Sequence, residues 1–114
     1  MYVAEQNGKI IGIIAILRDS GNTAKLRRMY VAKKHRQQGL GEHLFQKALE
    51  FCRTHDYERI VLCTHPKMQA AIAFYKKHGF REYTRSEAEE AAENAFYGPL
   101  YVRDTNSLYL EKFL

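Results

Sequence analysis

The sequence predicts a mixed α/β fold in which antiparallel and parallel strands share a sheet. Three observations lead to this prediction. The pair Asn7-Gly8 separates two runs rich in apolar residues, which is typical of a β-hairpin. After Gly41 the apolar residues recur at about 3.6 positions instead of two, which marks a change from strand to helix. A β-branched run at Arg59–Thr64 then precedes a second helical pattern, and this order favours a right-handed crossover.

The first half of the chain predicts three strands and a helix. Tyr2–Ala4 and Lys9–Leu17 form the hairpin, and since the second run is apolar on both faces, we expect both faces to be covered. A turn at Asp19–Asn22 leads to a third strand at Ala24–Val31. The apolar stripe of Leu40–His55 predicts a helix of about four turns.

The second half predicts shorter elements. Arg59–Thr64 is a strand, Pro66 is suited to the first turn of the next helix, and basic residues followed by Gly79 end that helix. The remaining predicted elements are a strand at Phe80–Thr84, an acidic helix with a serine cap at Ser86–Ala95, an irregular segment at Tyr97–Asn106 and a last strand at Ser107–Phe113.

Composition predicts one soluble domain over residues 1–114. Its apolar content of 46% is enough for a single core. The longest apolar run, Ile10–Leu17, has eight residues, whereas a membrane-spanning helix needs about 20. We therefore expect a cytoplasmic protein with no membrane partner and no leader. Cys52 and Cys63 lack zinc-ligand spacing, so we expect two buried free thiols and no metal.

The net charge of +5 is concentrated in one segment. Six Lys or Arg residues and no acid occur between Lys25 and Arg36, which indicates a polyanionic ligand such as nucleic acid, a nucleotide or coenzyme A. The strand, the loop with Gly39 and Gly41 and the helix follow in direct succession. Unpaired N–H groups at a helix start and close-approach glycines form a pyrophosphate site in physical terms. The loop lacks the Gly-Lys-Ser/Thr of a Walker motif and the glycine spacing of a Rossmann fingerprint.

Three strings, Leu26-Arg-Arg-Met-Tyr-Val31, Arg36-Gln-Gln-Gly-Leu-Gly41 and Phe74-Tyr-Lys-Lys-His-Gly-Phe80, resemble motifs of the GNAT superfamily of acetyl-coenzyme A-dependent N-acetyltransferases. The resemblance covers essentially the whole chain and implies the GNAT-like acyl-CoA N-acyltransferase fold, with acetyl-CoA as co-substrate. It also implies that the chain starts at the second strand of that fold and is N-terminally abbreviated. Such a chain is a naturally short member, a truncated one, or one whose missing flank is supplied by a partner chain. Since an abbreviated sheet exposes an edge strand, we expect a homodimer.

The resemblance implies roles for individual residues. The pantetheine arm pairs with the strand around Met29 and Val31, the loop amides and the Arg36 side chain bind the pyrophosphate, and Tyr75 protonates the departing thiolate. The implied coenzyme-binding residues are Met29, Tyr30, Val31, Arg36, Gln37, Gln38, Gly39, Leu40, Gly41, Phe74 and Lys77. The implied reaction is direct attack of a primary amine of a small molecule or peptide on the acetyl carbonyl, in a ternary complex.

Two positions depart from the family pattern. Lys25 stands where many relatives carry a glutamate base, and Met68 stands where an asparagine often assists. The general base is therefore open among Glu82, Glu5, His65 and a water chain. These departures leave a catalytically weak acetyl-CoA sensor as an alternative. A nucleic-acid binder is the second alternative, which we disfavour because the sequence has no aromatic RNA-binding signature.

Overall fold

The computed structural model describes residues 1–90 and 106–114. The chain divides into two compact units, Met1–Leu62 with Phe113–Leu114 and Cys63–Lys112.

The first unit contains β1 (Tyr2–Gln6), β2 (Lys9–Ser20), β3 (Thr23–Val31), α1 (Leu40–Thr54) and the start of β4 (Arg59–Thr64). The neighbours β1, β2 and β3 are antiparallel, whereas β3 and β4 are parallel. The sheet is therefore mixed, and the predicted fold class is confirmed. A 3-10 turn at Lys33–His35 lies between β3 and α1.

The β1–β2 hairpin has the predicted turn. Asn7 and Gly8 have φ values of 52° and 79°, and two positive φ values define the turn that matches the twist of paired strands. The expected cover on both faces of β2 is wrong at its ends: Ile14 is fully buried, but Ile10 and Leu17 are each 53% exposed. In the middle of the strand, Gly12 and Ile14 are buried on the face toward α1, whereas Ile11, Ile13 and Ala15 on the other face are half-buried.

The core of the first unit lies between α1 and β2. Leu44, Phe45, Ala48, Leu49 and Cys52 are buried on one side of α1. Gly12 lies beneath this helix, and a Cβ atom there would be 2.9 Å from Leu44 Cδ1 and 3.3 Å from Leu40 Cδ2. The missing side chain of Gly12 thus lets the first turns of α1 lie close to β2.

The second unit contains the end of β4, α2 (Gln69–Lys77), β5 (Arg81–Glu82) and all of β6 (Leu108–Phe113) except its last residue. β5 and β6 are antiparallel. The prediction that Pro66 lies in the first turn of α2 is wrong, because the helix begins three residues later. Met68 N–H donates to the carbonyl of His65 (2.8 Å), so Pro66 lies in a separate turn.

The other predictions for this unit have mixed outcomes. The strand predicted at Phe80–Thr84 is shorter, although Tyr83 N–H still donates to the carbonyl of Tyr109 (2.9 Å). The acidic helix starts as expected: Ser86 Oγ accepts from Glu89 N–H (3.1 Å), and a Glu89 carboxylate oxygen accepts from Ser86 N–H (3.3 Å). Ala95 and most of Tyr97–Asn106 lie outside the described residues.

The two cysteines are both free, as predicted, but only Cys52 is buried. Burial raises the pKa of the Cys52 thiol to about 11. Cys63 is exposed on β4, so the expectation of two buried thiols is wrong for this residue. Cys63 follows three consecutive buried residues of β4, Ile60, Val61 and Leu62, and lies where the burial along this strand ends.

Candidate functional site

A β-bulge interrupts the pairing of β3 with β2. Ala15 is opposite Arg28 and Ile16 is opposite Leu26, so Arg27 is one extra residue on β3. Such a bulge bends the strand that carries it and increases its twist. The direction of β3 therefore changes in the middle of the strand.

The parallel pairing of β3 with β4 ends just before this bulge. Its last pair is Lys25 with Val61. Residues 26–31 continue along β2 but have no register with β4. The bulge thus gives the second half of β3 an edge that faces away from β2 and is not part of the parallel ladder.

The backbone groups of Met29 and Val31 point to this edge. Ala32 N–H donates to the carbonyl of Ile11 (2.7 Å), which places Ala32 in a hydrogen-bonded position relative to β2. Antiparallel ladders alternate with every residue, so Val31 and Met29 direct both backbone groups away from β2. Tyr30 pairs with β2 through its backbone, and its side chain is 51% exposed.

The loop after β3 brings α1 to the same end of the strand with its first amides uncapped. Gln37 and Gly39 have φ values of 64° and 81°, and His43 N–H makes the first helical bond, to Gly39 O (3.0 Å). The N–H groups of the three residues before His43 have no helical acceptor. No side chain of the described residues caps this helix start. Together with the helix dipole, these donors suit a phosphate.

The loop also concentrates positive charge. Lys33, Lys34 and Arg36 are exposed. Arg36 Nε donates to the carbonyl of Val31 (3.0 Å), and Gln38 Nε2 donates to the carbonyl of Lys34 (3.4 Å). The structure therefore brings the predicted residues Met29–Gly41 together in the first unit, as a backbone edge, an uncapped helix start and basic side chains.

Tyr75 lies in the second unit, at the C-terminal end of α2. Gly79 N–H donates to Lys76 O (3.1 Å) and Phe80 N–H donates to Tyr75 O (3.0 Å), the two bonds of a Schellman motif. The Tyr75 and Phe80 rings lie edge to face at 5.6 Å, the apolar contact that accompanies this motif. The Tyr-x-x-x-Gly-Phe spacing thus has a folding role that does not depend on any ligand.

The Tyr75 side chain is 7% exposed, and burial raises the pKa of its phenol above the usual 10. The phenol is therefore protonated at neutral pH. Two other residues of α2 were predicted to bind the coenzyme. The Phe74 ring lies against the His78 ring at a tilt of 35°, with centroids 4.4 Å apart, and Lys77 is exposed.

The candidates for the general base have different environments. Glu5 and Glu82 are exposed on strands, whereas His65 Nδ1 accepts a hydrogen bond from Lys67 N–H (3.1 Å). Met68, in place of the familial asparagine, is 55% exposed at the start of α2. Within residues 1–90 and 106–114, no group of three or more His, Cys, Asp or Glu side chains could hold a metal. None of the helices in the same residues is long and apolar enough to cross a membrane.

Sequence reasoning missed the parts that position this site. Gly12 was visible as a glycine within an isoleucine-rich strand, which is a known signal of close backbone approach. The bulge at Arg27 has no comparable signal, because it depends on how two strands pair.

The acetyltransferase (GNAT) family model matches residues 1–80 of the chain, which include β3, the loop, α1 and the Tyr75–Phe80 motif. The chain belongs to the GNAT acetyltransferase family. This finding confirms the resemblance seen in the three motifs.

Relatives of this GNAT chain are longer than the chain. The rat N-acetyltransferase family 8 member 3 is 34% identical over 86 residues, which cover 71% of this chain and 38% of that protein. Human N-acetylaspartate synthetase is 36% identical over 87 residues, which cover 75% of this chain and 29% of that protein. The chain thus spans less than half the length of these curated relatives.

A solved acetyltransferase from Streptococcus agalactiae has the same fold as this GNAT chain. The two superpose with a TM-score of 0.78 at 31% identity, and the match covers 98% of this chain and 65% of the other. The superposition supports the predicted acyl-CoA N-acyltransferase fold.

Proposed function

We propose that this GNAT chain transfers the acetyl group of acetyl-CoA to a primary amine of a small molecule or peptide. The observation that carries the proposal is the outward-facing backbone of Met29 and Val31, next to the uncapped start of α1. An extended arm with amide groups pairs with such an edge, and a pyrophosphate suits the helix start. In coenzyme A the pantetheine arm, which carries amide groups, is followed directly by a pyrophosphate, so this one ligand has both features.

The coenzyme-binding residues of the proposal are the backbone of Met29–Val31, the loop Arg36–Gly41, and Phe74 with Lys77 on α2. The loop supplies N–H donors, and its cations add long-range attraction for the phosphates. Relatives named N-acetyltransferase support transfer of an acetyl group, and a solved structure of the same fold in complex with acetyl coenzyme A supports acetyl-CoA as its donor. The reaction as proposed uses no metal.

In the proposed reaction the neutral amine nitrogen attacks the acetyl carbonyl carbon and the C–S bond breaks. A backbone N–H near Val31 polarises the carbonyl oxygen as negative charge develops. The amine gives up one proton to a base or to water, and the coenzyme leaves as a thiolate that takes up one proton. Glu5, Glu82, His65 and a water chain are the candidate acceptors of the amine proton.

Tyr75 is the proposed hydrogen-bond donor to the leaving thiolate. Its raised pKa keeps the phenol protonated at neutral pH, which a donor requires. The same raised pKa makes full proton transfer to a thiolate, whose pKa is about 8.5, uphill. We therefore propose that Tyr75 stabilises the thiolate by a hydrogen bond and that solvent completes the protonation.

The wider assignment is a single acetyltransferase domain over residues 1–114 that works in the cytoplasm as a homodimer, without nucleic-acid or membrane partners. β1 supports the dimer, because it pairs on one side only within its unit. Sedimentation at several concentrations tests it, and a monomer at every concentration contradicts it.

The test of the activity combines isothermal titration of acetyl-CoA with a thiol-release assay over amines. The amines include polyamines, aminoglycosides, lysine peptides and amino acids, with aspartate among them because of the human relative's name. We expect binding and release with one class of amine. Binding without release favours the sensor, which Lys25 in place of the familial glutamate supports. No binding refutes both.

The second test is Tyr75→Phe, which keeps the ring on Phe80 and removes the hydroxyl. We expect kcat to fall by about ten- to a hundredfold, with an unchanged melting temperature and unchanged acetyl-CoA affinity. Tyr83→Phe is the control for loss of a phenol in the same unit. Equal kcat for Tyr75→Phe and the wild type would remove Tyr75 from the mechanism.

A further inference from the structure

Arg36 makes an unusual contact for a residue expected to bind phosphate. Its Nε donates to the carbonyl of Val31 (3.0 Å), five residues earlier in the chain. By contrast, the side-chain bond from Gln38 Nε2 to the carbonyl of Lys34 stays within the loop. Arg36 therefore links the phosphate loop to the free edge of β3.

The acceptor of this bond lies on the edge proposed for pantetheine. Val31 directs its carbonyl away from β2, as the bond from Ala32 N–H to Ile11 O establishes. An amide N–H of pantetheine that pairs with this edge needs the same carbonyl. The guanidinium and the pantetheine arm thus have one acceptor in common.

We propose that the Arg36 guanidinium occupies the Val31 carbonyl until pantetheine displaces it. This inference rests on the proposed function. On binding, the pantetheine amide replaces Arg36 Nε at Val31, and the released guanidinium turns to the pyrophosphate. Phosphate offers the guanidinium a bidentate, charge-assisted pair, which is stronger than a single bond to a neutral carbonyl.

The exchange couples the two halves of the coenzyme. In the proposed exchange, a fragment with only the pantetheine arm breaks the Arg36–Val31 bond without gaining a phosphate contact. The whole coenzyme breaks the same bond and gains that contact. Removal of the guanidinium therefore has opposite effects on the two ligands, whereas a purely structural role weakens both.

The experiment measures the affinity of S-acetylpantetheine and of acetyl-CoA for the wild type, Arg36→Met and the control Lys34→Met. Both substitutions remove one exposed cation from the same loop. We expect Arg36→Met to bind acetyl-CoA about tenfold more weakly and S-acetylpantetheine about threefold more tightly. Lys34→Met should weaken the binding of acetyl-CoA alone, because S-acetylpantetheine has no phosphate that interacts with the lost charge. Unchanged or weaker S-acetylpantetheine binding by Arg36→Met overturns the inference.

A second measurement keeps the test decisive when the fragment binds weakly. The Nε–H resonance of Arg36 reports its hydrogen bond, and saturating S-acetylpantetheine shifts it and speeds its exchange with water. A resonance that does not change overturns the inference. Failure of the wild type to bind acetyl-CoA at all is a different outcome, because it refutes the proposed function.

Discussion

Two helix ends in this protein contain a glycine with a left-handed backbone, and they treat their backbone groups in opposite ways. At the start of α1, Gly39 (φ 81°) precedes amides that no helical carbonyl accepts and that no described side chain caps. At the end of α2, Gly79 (φ 92°) turns the chain so that Tyr75 O and Lys76 O both accept backbone bonds. The first end leaves donors without a helical acceptor, whereas the second satisfies its own acceptors.

A glycine in a motif thus has two separable roles: it permits a positive φ, and it can adjoin N–H groups that no backbone acceptor uses. In both places an L-residue with a side chain is strained, since positive φ disfavours a Cβ atom. Only at Gly39 does the glycine also adjoin unpaired donors. Stability and ligand affinity should therefore respond differently to the same change at the two ends.

Gly12→Val should have the largest effect on stability. Even a Cβ there lies 2.9 Å from Leu44 Cδ1 and 3.3 Å from the carbonyl oxygen of Tyr30, so the Leu44 side chain must shift, and the two valine methyls add to this crowding. We expect a loss of about 2–3 kcal/mol in the free energy of unfolding, measured by urea denaturation. Gly12→Ala, with one methyl, should cost less. Equal stability of Gly12→Val and the wild type would show that α1 does not depend on this close approach.

Gly39→Ala and Gly21→Ala separate ligand affinity from backbone strain. Both glycines have positive φ, and nothing lies within 4 Å of a Cβ at either position. We expect similar losses of about 1 kcal/mol in stability. Only Gly39→Ala should weaken acetyl-CoA binding, by about tenfold, because it displaces the α1 amides. Equal affinities in a calorimetric titration would contradict the assignment of these amides to phosphate.

Gly79→Ala should lower stability by about 1 kcal/mol through positive φ. The nearest atom to its Cβ is Lys112 Nζ (2.9 Å), at the end of a flexible side chain, so crowding adds little. Thermal unfolding checks this effect, with Gly8→Ala as a control at another positive φ. A variant as stable as the wild type would show that the Schellman motif does not need glycine.

The smallest predicted effect is the pH dependence that arises from Cys52. Folding raises the pKa of its thiol from 9.0 to about 11, so the unfolded chain loses this proton first and stability falls as pH rises. Between pH 7 and 9 the loss is about 0.4 kcal/mol. Chemical denaturation should show this fall in stability with pH in the wild type and in Cys63→Ala, because the Cys63 thiol is exposed in the folded protein. Cys52→Ala should not show it. The same fall of stability with pH in Cys52→Ala would show that the Cys52 thiol is not its cause.

Much of the fold was predictable from local patterns. The Asn7-Gly8 turn, the apolar stripe of α1 and the end of α2 at Gly79 depend on residues close together in the chain. Pro66 shows the limit of such reasoning. Proline suits a first helical turn, but the bond from Met68 N–H to His65 O closes a separate turn before α2.

By itself the sequence predicted which residues a coenzyme site would use, because glycines, basic side chains and apolar spacing are properties of short segments. Only the tertiary structure decided how the first unit presents them. The extra residue Arg27, the end of the β3–β4 ladder at Lys25 and the outward direction of the Val31 carbonyl all depend on strand pairing. Register is set by the contacts of whole strands rather than by any one residue, and so it can be seen only in the folded chain.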